Sequence, residues 1–218
     1  MEQTDIWSIN PSTSATFFKT AAGVTGGAFP RALTLTNTNP VVAKEGAGYK
    51  VIITSAGNDS GITFTINGAV VGQLVGGNNT ITQPEVIVGG NAGAVTSTYF
   101  YSRIDSIVIS AAAAGTVAVG TTGNLALPRC RIKGFYILSA AGAGSLKVNR
   151  FSWVTTLAQP STIAATDVES LLDITTPAGA TLTQFLSLPG QGILTAQQQN
   201  DFAEVVLATS TDYTLFCG

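Results

Sequence analysis

The residues best equipped for chemistry are carboxylates in the last quarter of the chain: Asp167, Glu169, Asp173, Asp201 and Glu204. Two such groups flanking a glycosidic bond are enough for acid–base hydrolysis of a sugar. A sugar site also wants aromatic platforms. None surrounds these positions, and Trp7 and Trp153 lie far apart in the sequence. The segment Gly57–Gly61, GNDSG, holds Ser60 in a glycine-framed loop that superficially resembles a serine-protease nucleophile loop, but the chain contains no histidine. A serine nucleophile therefore has no imidazole base, and Cys-His mechanisms, imidazole metal sites and the usual pH switch are removed as well. Asn58, Asp59 and Ser60 offer oxygens to a calcium ion, but with a single carboxylate the segment reads better as a solvated β-turn. The glycines at Gly76–Gly77 and Gly89–Gly93 lack both the spacing and the following helix of a phosphate-binding loop. The expectation is a chain that is not an enzyme, with no catalytic residue, no cofactor and no metal.

Charge points instead toward surfaces. Only 10% of the 218 residues are charged, against about 25% in ordinary domains, and the net charge is −2. That balance argues against a nucleic-acid partner, which calls for a basic footprint. A neutral surface of hydroxyls, amides and small side chains suits packing against identical neighbours, because low charge favours association. The charges that exist are segregated. Arg129, Arg131, Lys133, Lys147 and Arg150 are half of the ten basic residues, and no basic residue follows them, whereas six of the twelve acids do. Either the two segments face different partners, or they meet within one fold; the second is favoured. Arg129, Arg131 and Lys133 alternate along one expected strand and so project from one face. They are the leading candidate interface, beside the plainer reading of a solvated sheet face.

The elements that must position these residues are strands. The stretch Thr96–Gly123 is rich in β-branched and aromatic residues and is divided by the small-residue segment Ala111–Gly115. Strict alternation puts Tyr99, Tyr101, Arg103, Asp105, Ile107 and Ile109 on one face, with Phe100, Ile104 and Val108 on the other. Strand, turn and strand read as a hairpin. A second hairpin is expected from YKVIITS (Tyr49–Ser55) through GNDSG to ITFTIN (Ile62–Asn67), and a third from RCRIKGFYILS (Arg129–Ser139) to SLKVNRFSWV (Ser145–Val154). Pro84 marks the strand across Thr80–Val88 as an edge or as broken. Only Asp167–Ile174 suggests a helical turn.

The expected fold class is all-β, with two sandwich-like domains in tandem, residues 31–127 and 128–218. They follow an N-terminal arm, residues 1–30, whose anchors Phe17 and Phe18 stand in a small, polar stretch that orders against a neighbour. Cys130 and Cys217 are too few for a disulfide framework. Free thiols suit a reducing cytoplasm, and a bridge remains possible within one domain. Met1–Asn10 has acids and no apolar core, and no apolar run approaches the roughly 18 residues of a membrane span, so a soluble cytoplasmic product is expected.

Two blocks carry a resemblance. GYKVIITSAGNDSGITFTINGAVVGQLV, followed by TSTYFYSRIDSIVISAAAAGTVAVGTTG, resembles a strand-pair pattern of small virion structural proteins of tailed bacteriophages. IKGFYILSAAGAGSLKVNRF, then LPGQGI and the closing TDYTLFCG, is similar to the C-terminal sandwich of such proteins. Together the blocks cover most of residues 31–218. The resemblance implies jelly-roll-like sandwiches and a particle component made in the bacterial host cytoplasm and located in the virion. A capsid decoration or cement subunit comes first, bridging the major capsid protein or other virion proteins as a homo-oligomer, with a trimer favoured. A tail, neck or fibre component is the alternative. A carbohydrate-binding module is the rival from another class, and would need exposed Tyr49, Tyr99, Tyr101 or Tyr136.

Overall fold

The computed structural model describes residues 7–9, 14–37, 48–70, 81–82, 84–127, 131–139, 144–151, 168–176, 183–188, 192–194, 202–207 and 211–217. Every regular element among them is a strand. In chain order these are β1 (Trp7–Ile9), β2 (Ser14–Gly23), β3 (Arg31–Ala32), β4 (Gly48–Ser55), β5 (Thr63–Val70), β6 (Ile81–Thr82), β7 (Glu85–Val88), β8 (Ala94–Ile109) and β9 (Thr116–Leu127). There follow β10 (Arg131–Ser139), β11 (Gly144–Phe151), β12 (Val168–Thr176), β13 (Thr183–Ser187), β14 (Ile193–Leu194), β15 (Phe202–Leu207) and β16 (Thr211–Cys217). The all-β expectation holds, and all the strand registers described are antiparallel. The chain divides into two units. Described residues 14–37 and 48–123 form an N-terminal unit, and residues 7–9 and 124–217 a C-terminal one. The expected arm supplies β1 to the C-terminal unit and β2 to the N-terminal one.

None of the three expected hairpins forms. In the N-terminal unit the sheet order is β9-β4-β8-β5, so β8 lies between β4 and β5, and β4 lies between β8 and β9. In the C-terminal unit β10 pairs with β13, β14 and β16, while β11 pairs with β12 and β15. The connections Ala56–Ile62 and Ser110–Gly115 stand where the sequence places turns, and the third expected turn, at 140–143, lies outside the described residues. The strands they join pair elsewhere.

Strand β8 explains how this is possible. Its first half pairs with β4, from Thr54↔Ala94 to Tyr49↔Tyr101, and its second half pairs with β5, from Val70↔Tyr101 to Phe64↔Ile109. Laid straight, its 16 residues would extend about 50 Å. Yet both ends lie against the single connection from β4 to β5. Ser55 N–H donates to Gly93 O at 3.0 Å, and Ser110 N–H donates to Thr63 O at 3.0 Å. Eight residue steps of chain reach about 29 Å at most. Strand β8 is therefore sharply bent. Against β5 its register skips Ser102 and Asp105, and each skipped residue is a bulge that bends the strand carrying it.

The same bulges correct the expected faces. With Ser102 and Asp105 out of register, Tyr101, Ile104, Ile107 and Ile109 stand opposite Val70, Gly68, Ile66 and Phe64. All four β8 residues are buried, whereas Arg103 and Asp105 are exposed and pair with each other at 2.7 Å. Strict alternation would have carried both charges inward with Ile107, and burying a charge is far more costly than a local kink. The inward residues join Val51 and Ile53 of β4, Val117 and Val119 of β9, Phe18 of β2 and Ile87 of β7 in one core. Each such large side chain contributes on the order of 1.5–3 kcal/mol when fully buried.

Two further bulges follow the same logic. Between Lys50↔Phe100 and Ile52↔Thr96 strand β4 passes one residue, Val51, while β8 passes three, Ser97, Thr98 and Tyr99, so the bulge is again on β8; Val51 N–H donates to the buried Ser97 Oγ at 2.8 Å, and Ser97 Oγ donates to Tyr99 O at 2.8 Å. In the C-terminal unit the segment expected as a helical turn is strand β12, paired with β11. The register skips Leu171, so the adjacent pair Leu171–Leu172, which breaks a period of two, is absorbed as a bulge. Pairing with β11 overrides a weak local preference for helix.

Candidate interaction surfaces

Of the basic trio, Arg129 lies outside the described residues. Arg131 and Lys133 are on β10, both partly exposed, on either side of the buried Ile132. Opposite β16 the register jumps from Ile132 to Gly134, so Lys133 sits at a bulge. Its carbonyl accepts from Leu188 N–H at 2.9 Å. Lys147, from the same basic segment, pairs with Asp173 of β12 at 3.0 Å, so here the basic and acidic segments do meet within one unit. Both partners are about half exposed, and such a pair contributes roughly 0–1 kcal/mol.

Phe17 and Phe18 belong to β2. Phe18 is buried in the core of the N-terminal unit, and Phe17 packs edge-on against it at 5.0 Å while remaining partly exposed. Beside them is a residue the sequence reading passed over. Lys19 is only 8% exposed, and its Nζ donates to Thr20 O and Val117 O, each at 3.1 Å. Desolvation lowers its pKa, and no local signal in the sequence distinguishes it from a surface lysine.

The tyrosines proposed as sugar platforms are placed otherwise. Tyr49 and Tyr101 face each other across β4 and β8, and both are buried. They cannot stack on a sugar without unfolding. Tyr99 is half-buried, and the Tyr136 side chain lies outside what is described. Tyr101 OH donates to Glu85 Oε2 at 3.2 Å. The same carboxylate accepts from Thr98 N–H at 2.6 Å and from Tyr99 N–H at 3.3 Å. Burial and the neighbouring Glu85 charge raise the pKa of both Tyr99 and Tyr101. The arrangement pins β8 to β7.

Asp59 corrects the solvated-turn reading. It is completely buried, with Oδ1 accepting from Ala114 N–H at 2.8 Å. Its N–H donates to Gly90 O at 2.9 Å, and Ala92 N–H donates to Gly57 O at 2.9 Å. The turn is thus stitched to the connections before β8 and before β9. Only Asn58 and Ser60 keep the expected exposed turn geometry, with Ser60 Oγ donating to Asn58 Oδ1 at 2.8 Å. The crossing is tight enough to require Gly57 and Gly115, where a Cβ on either would come within 2.7 Å of the other connection's backbone.

Among the carboxylates first singled out, Glu169 and Asp173 are on β12 and Glu204 is on β15, with β11 between the two strands. Asp167 and Asp201 lie outside the described residues, as does Cys130. Among the described residues no group of three or more His, Cys, Asp and Glu side chains could hold a metal ion, and no helix is long and apolar enough to cross a membrane.

One surface was only half legible. Pro84 does interrupt its strand, and the flanking β6 and β7 both pair with β5. What the sequence reading missed is that Val86 and Val88 of β7 are 63% and 55% exposed. An alternating E-V-I-V segment at an edge was the available signal. No protein-family description, no curated protein and no solved structure matches the chain.

Proposed function

We propose that this chain is a non-enzymatic structural subunit of a tailed-bacteriophage virion, built as two jelly-roll-like sandwich domains. Within that class it acts as a capsid decoration or cement protein. Made in the bacterial cytoplasm, it bridges neighbouring copies of the major capsid protein and itself forms a homo-oligomer, with a trimer favoured. The added buried area opposes the outward pressure of packaged DNA. The observation that carries the reading is a β-rich chain with 10% charged residues, several of whose buried or half-buried polar side chains are spent on internal architecture. Asp59, Glu85, Ser97 and Lys19 all hold backbone groups of their own unit. What is left outward is a neutral surface suited to repeated contact.

The test is the copy number of the chain in purified particles, measured by quantitative mass spectrometry against the major capsid protein. Hundreds of copies support decoration. A dozen or fewer would move the chain to tail, neck or fibre, and absence from particles would sink the structural reading altogether.

A further inference from the structure

We propose that the bulge of β8 around Thr98 is a carboxylate-binding site, filled in this structure by Glu85 of the same chain and able to take a small free carboxylate once that side chain is removed. The inference goes beyond the proposed structural role and does not depend on it.

The site begins with a mismatch of length. Between Lys50↔Phe100 and Ile52↔Thr96, β4 offers one residue and β8 three, so the ladder cannot match every main-chain group of Ser97, Thr98 and Tyr99. Main-chain N–H groups must nevertheless find acceptors. Two successive ones converge on one side chain. Thr98 N–H donates to Glu85 Oε1 at 2.6 Å, and Tyr99 N–H donates to Glu85 Oε2 at 3.3 Å. Successive N–H groups turned to one side make an anion-binding concavity. The phenol of Tyr101 supplies a third donor, to Oε2 at 3.2 Å.

These donors are held in place without help from the carboxylate. Ser97 Oγ accepts from Val51 N–H and donates to Tyr99 O, each at 2.8 Å, which ties the bulge to β4. Tyr101 is buried and stands in register with both Tyr49 and Val70. None of these contacts involves Glu85. Removing its side chain therefore leaves the three donors together and short of an acceptor, a costly state that a replacement ligand relieves. Thr98 is exposed, so the site opens to solvent on that side.

The arrangement also selects the ligand. Each oxygen of Glu85 is read separately, Oε1 by one N–H and Oε2 by an N–H and the phenol. Two oxygens on one carbon meet that pattern, and a spherical halide cannot span it. Three neutral donors suit a single negative charge and offer no counter-charge to a dianion. Burial and the Glu85 charge raise the Tyr101 pKa, so its hydroxyl remains a donor at neutral pH. Hydrogen bonds to an ionised acceptor are the strong kind. Formate and acetate are the smallest ligands of this class. In the intact chain Glu85 prevails over them because the pairing of Glu85 with Ile66 of β5 delivers its carboxylate at high effective concentration.

The experiment follows the amide NMR signals of Thr98 and Tyr99 in the full chain carrying Glu85→Ala, as sodium formate replaces sodium chloride at constant ionic strength. Loss of the carboxylate should move both amide protons upfield, and formate should return them downfield along a saturating curve. A ligand of three heavy atoms binds no tighter than about millimolar, so the titration extends to about 0.5 M. Adding Tyr101→Phe should raise the formate dissociation constant about tenfold or more, because one of three donors to a charge is lost. The unmodified chain, its site already filled, should respond far more weakly. A folded Glu85→Ala chain whose two amides ignore formate overturns the proposal, and so does a response that Tyr101→Phe leaves unchanged. Should Glu85→Ala fail to fold in chloride, refolding by formate, followed by circular dichroism, supports the site. Without such refolding the test passes to Glu85→Gln, which keeps the side-chain volume; formate must still shift the same two signals there, and indifference overturns the proposal.

Discussion

Gly68→Ala is the sharpest test of the bulged, bent β8. In a regular strand, replacing glycine by alanine stabilises by about 0.5–1 kcal/mol, because glycine loses more backbone freedom on folding. Here the sign should reverse. A Cβ on Gly68 would fall on the carbonyl oxygen of Arg103, and would lie 3.0 Å from Tyr101 Cδ1 and 3.1 Å from Ile104 Cα. Two of these three obstacles are main chain, held between the bulges at Ser102 and Asp105, so no rotamer change relieves them. Overpacking of this kind costs about 1–3 kcal/mol, and the backbone overlap puts Gly68→Ala at the upper end. At about 2–4 °C per kcal/mol, the midpoint should fall by about 6–12 °C. The matched control is Gly61→Ala. Nothing lies within 4 Å of its Cβ position and its backbone is not left-handed, so it should gain about 0.4–1 kcal/mol. Thermal and urea unfolding followed by far-UV circular dichroism read both variants. Tryptophan fluorescence provides an internal reference, because Trp7 and Trp153 both lie outside residues 14–123. If Gly68→Ala matches the unmodified chain while Gly61→Ala behaves as stated, Gly68 is not held against the bulged segment and the account of β8 is wrong.

Ser97→Ala should destabilise by about 1–3 kcal/mol, because it removes the acceptor of Val51 N–H in a buried setting; equal urea midpoints for the variant and the parent would refute this. Stability should fall above pH 10. Unfolded tyrosines ionise there, while burial keeps Tyr49 and Tyr101 protonated in the fold, with the Glu85 charge adding to the effect at Tyr101. The unfolded chain then holds fewer protons, and each retained proton lowers stability by up to about 1.4 kcal/mol per pH unit. Tyr101→Phe should remove one tyrosine's share of that slope in urea titrations at stepped pH. Lys19 acts with the opposite sign. Burial lowers its pKa, so the folded chain gives up that proton before the unfolded one, and stability rises as pH climbs toward 10.5; Lys19→Met should flatten the rise.

Much of the strand content was legible. YKVIITS and ITFTIN read as strands because period-two patterning with β-branched residues is a local property, and both are strands in the fold. Pro84 marked a broken edge for a local reason too, the missing N–H. The helical turn at Asp167–Ile174 failed where the adjacent leucines hid a bulge that only pairing with β11 reveals. The interaction surfaces were less legible than the strands. Composition announced a neutral exterior, but the exposed Val86 and Val88, the inward-turned Glu85 and the buried Lys19 depend on neighbours distant in sequence.

Residue types and their spacing were thus enough to determine that the described residues are all-β, without histidine chemistry, with connections at GNDSG and at Ala111–Gly115. The tertiary structure alone decided which strands pair and which residues face inward. The reason is physical. A strand's conformation is chosen by the sterics of each residue and its neighbours, whereas pairing is chosen by contacts across the fold. Asp59 meets Ala114, 55 residues downstream, and one bulge at Asp105 is enough to send Ile104 and Ile107 to the same face.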